Sequence, residues 1–275
     1  MNKKKISIFS SNNKKKLKRN KTLISVVTIV YNDEKNIEKT IKSVLNQKYS
    51  FIEYIVVYTP SQDRTFEIIK KYKKKIDKII VSEKRGIFLA MNIGTFFAKG
   101  KYLNFMNSGD YFTSSNTVYK LFNKKQNVDV IYGDCIIYYD NYLRKIKCSG
   151  INTINKELPF SHQSSFVRTN LQKKYKFNLK HGQSADYDFF LKIFLQKKKF
   201  KYYPFYISNR LPYGNSDKKI ETLYDNYWIS SKYLGKPTLS RKLIFLKEVI
   251  YYSCTKILQY ILPRKILNLI IKLKY

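Results

Sequence analysis

Asp110 closes the segment Tyr102-Leu-Asn-Phe-Met-Asn-Ser-Gly-Asp110. A short run of strand-forming residues gives way there to a small, turn-prone cluster ending in one carboxylate. A carboxylate so placed can hold a hard divalent cation against a diphosphate. Mg2+ and Mn2+ take oxygen ligands and fill the rest of their shell with phosphate and water. Farther along, Asp186 and Asp188 stand in the first turn of a helix-patterned stretch. Their charge favours a helix N-terminus, and two residues apart they point to different sides of the helix. Cys135, Cys148 and Cys254 are widely spaced. They form neither a metal-ligand pattern nor a disulfide framework, which fits a reducing compartment.

The elements that must position these acids follow from hydrophobic period. Leu23-Ile-Ser-Val-Val-Thr-Ile-Val30 is a near-continuous β-branched run, as in a strand buried on both faces. Asn32 or Asp33 can cap the next helix, whose Ile37, Ile41, Val44 and Leu45 fall on one face. Tyr54–Val57 reads as a second strand. Ser61 and Asp63 can cap a second helix carrying Phe66, Ile69 and Tyr72. Residues 76–81 read as a third strand, 86–98 as a third helix and 101–106 as a fourth strand ending at the Asn107–Asp110 turn. Strands alternating with helices imply a parallel sheet with right-handed crossovers. Ligands of such sheets bind at the carboxyl ends of the strands, where Asp110 stands. From Val128 the chain is richer in strands, residues 186–194 form a helix, and beyond about residue 215 the pattern is helical and basic.

With 44% hydrophobic residues, the 275-residue chain can bury a substantial core for one domain with appendages. Fifty-four Lys and Arg stand against 19 Asp and Glu, a formal net charge of +35. That field attracts nucleic acid, anionic lipid or phosphorylated substrates, although a Lys-rich coding bias gives the same composition. Residues 1–20 read as a solvated basic arm without the apolar core of a signal peptide. No uncharged apolar run is long enough to span a bilayer. In Arg264–Tyr275 a polar stripe of Arg264, Asn268 and Lys272 faces a broad apolar surface. Such a helix suits an anionic membrane surface or a core-packing role.

The order of motifs carries a resemblance. Ser25-Val-Val-Thr-Ile-Val-Tyr-Asn32, Thr40-Ile-Lys-Ser-Val-Leu-Asn-Gln47 and Glu53-Tyr-Ile-Val-Val57 resemble the opening of the family 2 glycosyltransferases. The likeness continues through Ser82-Glu83, Gly86–Asn92, Ala98–Tyr102 and Asn107–Asp110. It resumes at Tyr132-Gly-Asp134, at His162-Gln163 with Ser165-Phe166, and at Ala185–Lys192. The ordered set spans roughly residues 22 to 195 and is most similar to bacterial enzymes that build capsule, O-antigen or exopolysaccharide units. The resemblance implies a GT-A fold, an α/β, Rossmann-like and mostly parallel sheet flanked by helices. It divides the chain into a basic arm (1–20), a GT-A catalytic domain (21–215) and a helical, basic C-terminal extension (216–275). It implies a nucleotide-sugar donor, a glycan or lipid-linked acceptor, a divalent metal (Mg2+ or Mn2+) and inverting transfer. The expected location is cytoplasmic, with peripheral contact at the inner face of the cell membrane.

The resemblance also assigns residues. Asp110 matches the last acid of the family's metal motif, while Gly109 stands where many members have another Asp. Asp186 matches the catalytic base, with Asp188 as its neighbour. His162 and Gln163 belong to the acceptor or diphosphate side. Tyr31, Asn32, Tyr58, Asp63, Arg85, Asn92 and Ser108 fall in the donor-binding motifs. There are departures. Tyr58 replaces the acid that accepts a hydrogen bond from the uracil ring, and either stacks on a base or donates in its place. After Glu83 the motif is one residue shorter and lacks two acids, with Lys84 and Arg85 nearby and Leu89 replacing the second. Those cations could grip a donor diphosphate or mark a relaxed, inactive site.

Three function classes therefore compete: an active glycosyltransferase, a catalytically impaired relative acting as a binding or scaffold protein, and a nucleic-acid binder. The third ranks last, because no nucleic-acid module is recognisable and the positive charge is spread along the chain. No G-x-G-x-x-G follows the first strand, which argues against a dinucleotide oxidoreductase.

Overall fold

The computed structural model describes residues 6–10, 21–139, 142–212, 219–237 and 239–261. Its centre is the alternating half of the sequence. Strands β2 (Ile24–Val30), β3 (Ile52–Tyr58), β4 (Lys78–Ser82) and β5 (Tyr102–Phe105) lie in the order β4-β3-β2-β5, all parallel. Helices α1 (Ile37–Leu45), α2 (Thr65–Lys71) and α3 (Ile87–Phe97) make the crossovers.

The sheet then extends through a mixed half. β9 (Ser165–Arg168) runs antiparallel between β5 and β7 (Val130–Tyr138). β10 (Phe200–Arg210) pairs parallel with β7 and antiparallel with the short β6 (Tyr111–Phe112). β8 (Leu143–Ile146) is a hairpin arm on β7. The outcome is the α/β sheet the sequence implied, with helices on both faces.

Strand alternation divides the interior into two layers. In β3, Ile55 and Val57 face one layer while Tyr54, Val56 and Tyr58 face the other. The first layer packs against α3, α5 (Thr169–Tyr175) and α6 (Ala185–Leu195). The second packs against α1, α2 and α4 (Thr117–Phe122). α1 buries Ile37, Thr40, Ile41 and Val44, the face its spacing predicted. α3 lies so close to β2 that a Cβ at Gly94 would fall 2.4 Å from Val27 Cγ1.

Two expectations differ. Ile6–Ser10, read as part of a solvated arm, forms β1, an edge strand antiparallel to β4. Its Ile-x-Ile-Phe run satisfies the otherwise open β4 edge. Neither Asn32 nor Asp33 caps α1 with its side chain. Asn32 adopts a left-handed φ of 45° and turns the chain out of β2, so the helix begins at Ile37. The C-terminal region is helical as expected, with α7 (Lys219–Leu234) and α8 (Leu239–Ile261). The amphipathic segment Arg264–Tyr275 and most of the basic arm lie outside the described residues.

At the amino ends of the parallel strands, the carboxylate of Glu53 is buried. It pairs with Lys78 and accepts from Ser25 Oγ at 2.6 Å and from the Lys99 N–H at 2.7 Å. Lys78 also donates to the Phe97 carbonyl. This cluster ties β2, β3 and β4 to the end of α3. Burial works to raise the Glu53 pKa, but the bonds from Lys78, Ser25 and Lys99 outweigh it and hold the carboxyl below its ordinary value. A depressed carboxyl stabilises the fold above its unfolded pKa, about 4.3, and that stability is lost as pH falls through the folded value. Glu53→Gln is expected to cost about 3 kcal/mol in urea unfolding at pH 7. The gap from the parent protein should close as pH drops below about 4, and a gap that persists unchanged at acid pH would contradict this account.

Candidate active site

The carboxyl end of β5 runs into the Asn107–Asp110 turn. Met106 and Ser108 donate their N–H groups to the Val27 and Ile29 carbonyls, continuing the register with β2. The turn is then fixed from α1. The fully buried Thr40 hydroxyl accepts the Gly109 N–H at 2.9 Å and donates to the Asp110 carbonyl at 2.8 Å. Gly109 has φ +92°, and a Cβ there would sit 2.6 Å from Leu211 Cδ1. A side chain at this position would meet both backbone strain and a steric clash. Both favour glycine at this position.

Asp110 is 6% exposed. Burial pushes its carboxyl up to about 6. The Gln163 side chain, donating at 2.9 Å, opposes that shift, as do His162, Arg210 and the Leu211 backbone. A desolvated acid with so little direct compensation is a place where a cation would be stabilising. Among the described residues no three His, Cys, Asp or Glu come close enough to hold a metal by themselves. One carboxylate completed by ligand phosphates and water still suits Mg2+ or Mn2+, so the donor set fits an ion bound jointly with a diphosphate.

His162, in a 3₁₀ turn ahead of β9, links this corner to α6. Its Nε2 lies 3.3 Å from Asn107 Nδ2 and its Nδ1 lies 3.2 Å from Asp186 Oδ2. Asn107 donates through Nδ2, and the Nδ1 position is placed to donate to Asp186. Asp186 also accepts the Tyr187 N–H and stays partly exposed. The buried Asn107 Oδ1 has no hydrogen-bond partner among the described residues. Asp110, Gln163, His162 and Asp186, separated by up to 76 positions in sequence, thus share one corner.

The donor-side residues divide. At the rim, the Arg85 guanidinium lies 4.4 Å over the Tyr31 ring, and both are exposed. Asn32 ties two loops together by donating its N–H to Ser61 Oγ and accepting the Gln62 N–H. Ser108 Oγ donates to Asp33 at 2.6 Å. Asp63 accepts the Thr65 and Glu34 N–H groups, so its carboxylate shapes the turn before α2.

Three of these residues have partners of their own within the fold. Tyr58 belongs to the core. Its ring, 6% exposed, stacks on Phe66 at 4.8 Å in the second core layer, and its hydroxyl accepts the Ser61 N–H. Asn92 is occupied by the Phe177 backbone, donating to its carbonyl and accepting its N–H, both at 2.9 Å. Asp188 is 2% exposed and accepts from Tyr233 of α7 at 2.8 Å, with His181 Nε2 at 3.6 Å. It anchors α7 and the turn before α6, and does not face the corner.

Thr40, Asn107 and Arg210 were not singled out from sequence. Thr40 has no chemistry of its own, and Arg210 reaches Asp110 only through the β10–β6 pairing. The turn-forming Asn107-Ser-Gly sequence is the one signal that pointed toward them.

The family model described as "Glycosyl transferase family 2" matches residues 25–198. An uncharacterized glycosyltransferase of Methanocaldococcus jannaschii is 28% identical over 276 residues, covering 92% of this chain and 94% of that protein. The Escherichia coli UDP-Glc:alpha-D-GlcNAc-diphosphoundecaprenol beta-1,3-glucosyltransferase WfaP is 35% identical over 97 residues, 34% of this chain and 38% of its own. Among solved structures, the mannosyltransferase PcManGT from Pyrobaculum calidifontis, in complex with GDP-Man and Mn2+, has the same fold. It aligns at TM-score 0.60 and 16% identity over 83% of this chain and 69% of that one.

The Asp188 assignment is open to test. Tyr233→Phe removes the hydroxyl donor from a buried carboxylate and should lower the unfolding free energy by about 2 kcal/mol in a urea titration. Unchanged stability would release Asp188 from its anchoring role.

Proposed function

The chain belongs to glycosyl transferase family 2, and from that premise we propose an inverting, metal-dependent transfer of a sugar from a nucleotide-sugar donor to a lipid-linked or glycan acceptor in cell-surface polysaccharide synthesis. The observation that carries this reading is the link from Asp110 through Gln163 and His162 to Asp186. It sets a buried carboxylate beside a partly exposed one at the carboxyl end of the sheet.

Asp186 is the base. As the acceptor oxygen attacks the anomeric carbon, its proton passes to an Asp186 carboxylate oxygen. The new carbon–oxygen bond forms on the face opposite the departing nucleotide diphosphate, which leaves with the electron pair of the broken bond, so configuration inverts. His162, donating from Nδ1, holds the Asp186 carboxylate in orientation. Asp110 is the protein ligand for Mg2+ or Mn2+, which when bound would offset the negative charge gathering on the leaving diphosphate. Arg85 over Tyr31 supplies a cation at the rim for the donor phosphates. WfaP, by its name, uses UDP-Glc and a diphosphoundecaprenol acceptor, and PcManGT was solved with GDP-Man and Mn2+. The first supports the donor and acceptor classes, the second a nucleotide-sugar donor and a divalent metal. The buried Tyr58 leaves the base-reading position without an acid, which favours the alternative of an impaired, scaffold-type relative.

A screen of nucleotide sugars with Mn2+, reading released nucleotide, separates the two. The parent protein should turn over at least one donor. Asp186→Asn should lose transfer by about a hundredfold or more while still binding that donor, and Asp110→Ala should lose metal-dependent turnover. Donor binding without turnover in the parent, or undiminished transfer by Asp186→Asn, would sink the catalytic reading; absence of all donor binding would support the scaffold.

The lipid-linked acceptor calls for a surface that meets the membrane, and α8 supplies one. Leu239, Leu243, Leu246, Ile250, Ile257 and Ile261 are each more than half exposed. At 100° per residue they fall within an arc of about 60°. Phe245 packs the other way, on Tyr224 and Tyr227 of α7. Lys242 and Lys247 flank the stripe, as suits an anionic bilayer surface. No helix among the described residues is long and apolar enough to cross a membrane. A triple Leu243→Ser, Leu246→Ser, Ile250→Ser variant should sediment with phosphatidylglycerol vesicles at least about tenfold less than the parent. Equal sedimentation would refute docking through α8.

A further inference from the structure

A cleft of about 500 Å³ opens at the end of β5 opposite Asp110, lined by Ala98, Lys99, Gly100, Lys101, Arg168, Thr169, Asn170 and Lys173. Its side chains contribute four cations and no carboxylate. Along β5, from Lys101 to Met106, the chain advances about 16 Å at roughly 3.3 Å per residue. The cleft is therefore separated from the catalytic corner by the length of the strand.

The charges are incompletely matched. Among the described residues Arg168 is the one member in an ion pair, with Nε 3.3 Å from Asp129 Oδ1 and a bond to the Val128 carbonyl. Lys173 Nζ donates to the Ala98 carbonyl at 2.7 Å, a neutral partner. Burial, together with the like charges of Arg168 and Lys125, pushes the Lys101 ammonium below its ordinary pKa. Glu53 beneath Lys99 is already committed to Lys78 and Ser25. Beside these cations sits Thr169, 5% exposed, whose buried hydroxyl has no hydrogen-bond partner among the described residues. A hydroxyl withdrawn from water without a partner costs free energy, and a ligand with acceptor oxygens would recover that loss.

We propose that this cleft is a second anion site that binds a phosphate-bearing ligand, with Lys99, Lys101, Arg168 and Lys173 supplying charge and the Thr169 hydroxyl donating a hydrogen bond. Nothing in the transfer chemistry of the Asp110 corner uses it, and its occupancy does not depend on that reading. A phosphate on a free ligand and a phosphate on a lipid headgroup would meet the same groups.

Inorganic pyrophosphate titrated calorimetrically into the full chain, in the presence of a chelator that strips divalent metal from the catalytic end, tests the site. One saturable event is expected. The Lys101→Gln, Lys173→Gln pair should weaken it about tenfold or more. Thr169→Val, which changes shape little and charge not at all, should weaken it roughly threefold or more. A control pair remote from the cleft, Lys73→Gln with Lys147→Gln, should stay within about twofold, because screened surface charges act only weakly at a distance. Thermal melts confirm that each variant is folded. A parallel arm measures sedimentation with phosphatidic acid vesicles. If pyrophosphate fails to bind but vesicle binding falls in the Lys101, Lys173 and Thr169 variants, the phosphate belongs to a headgroup. The proposal is overturned if Thr169→Val has no effect in either arm, or if the control pair loses as much affinity as the cleft pair, since both results describe diffuse charge attraction.

Discussion

The turn that carries Asp110 hangs on one buried hydroxyl. Thr40 accepts the Gly109 N–H and donates to the Asp110 carbonyl, joining α1 to the turn after β5. Thr40 reaches that turn only because Ile37, Ile41 and Val44 seat α1 in the second core layer. Packing thus sets the height of the helix over the sheet, the helix sets the turn, and the turn sets the Asp110 carboxylate. Gly109 completes the constraint from above, since its positive φ suits glycine and a Cβ there would displace the tip of the Leu211 side chain. Closely packed interiors move little, so a short polar side chain in the core can position a charged group at the surface.

Three aspartates show how environment separates roles that residue type leaves equal. Asp110 is desolvated, which lifts its pKa, while the bond from Gln163 opposes that shift. Asp186 is partly exposed and contacts His162. Asp188, two residues on, is closed off by Tyr233. The step of about 200° between Asp186 and Asp188 on a helix turns one toward the corner and the other into the packing against α7. One helix terminus therefore carries both a partly exposed acid and an anchoring one.

Much of this was legible because it is local or periodic. The β-branched runs, the i, i+4, i+7 face of α1 and the placement of Asp110 at a strand's carboxyl end all follow from side-chain period and chain direction. Tyr58, Asn92 and Asp188 escaped because each is satisfied by a distant or unexpected partner. Phe66 lies across a turn, Phe177 is 85 residues from Asn92, and Tyr233 is 45 residues from Asp188. A polar side chain looks equally available in a sequence whether or not a backbone group is waiting for it. Ile6–Ser10 escaped for a different reason: its lysine-rich surroundings hid a short alternating run that pairs only because β4 presents an open edge.

The scarcity of acids in this chain gives its electrostatics a single direction. Even if each of the 19 carboxylates neutralised one cation, 35 of the 54 Lys and Arg would remain unmatched. Several carboxylates are moreover committed inside the fold, Glu53 at the base of the sheet, Asp63 in a turn and Asp188 under α7. The positive field is therefore a property of the whole molecule and draws anions without distinguishing them. Discrimination has to come from places where geometry is fixed and solvent is excluded. The Asp110 corner is such a place, because its carboxylate is buried and its turn is held by Thr40. Long-range attraction and short-range selection are thus carried by opposite charges, the lysines over the surface and one aspartate beneath it.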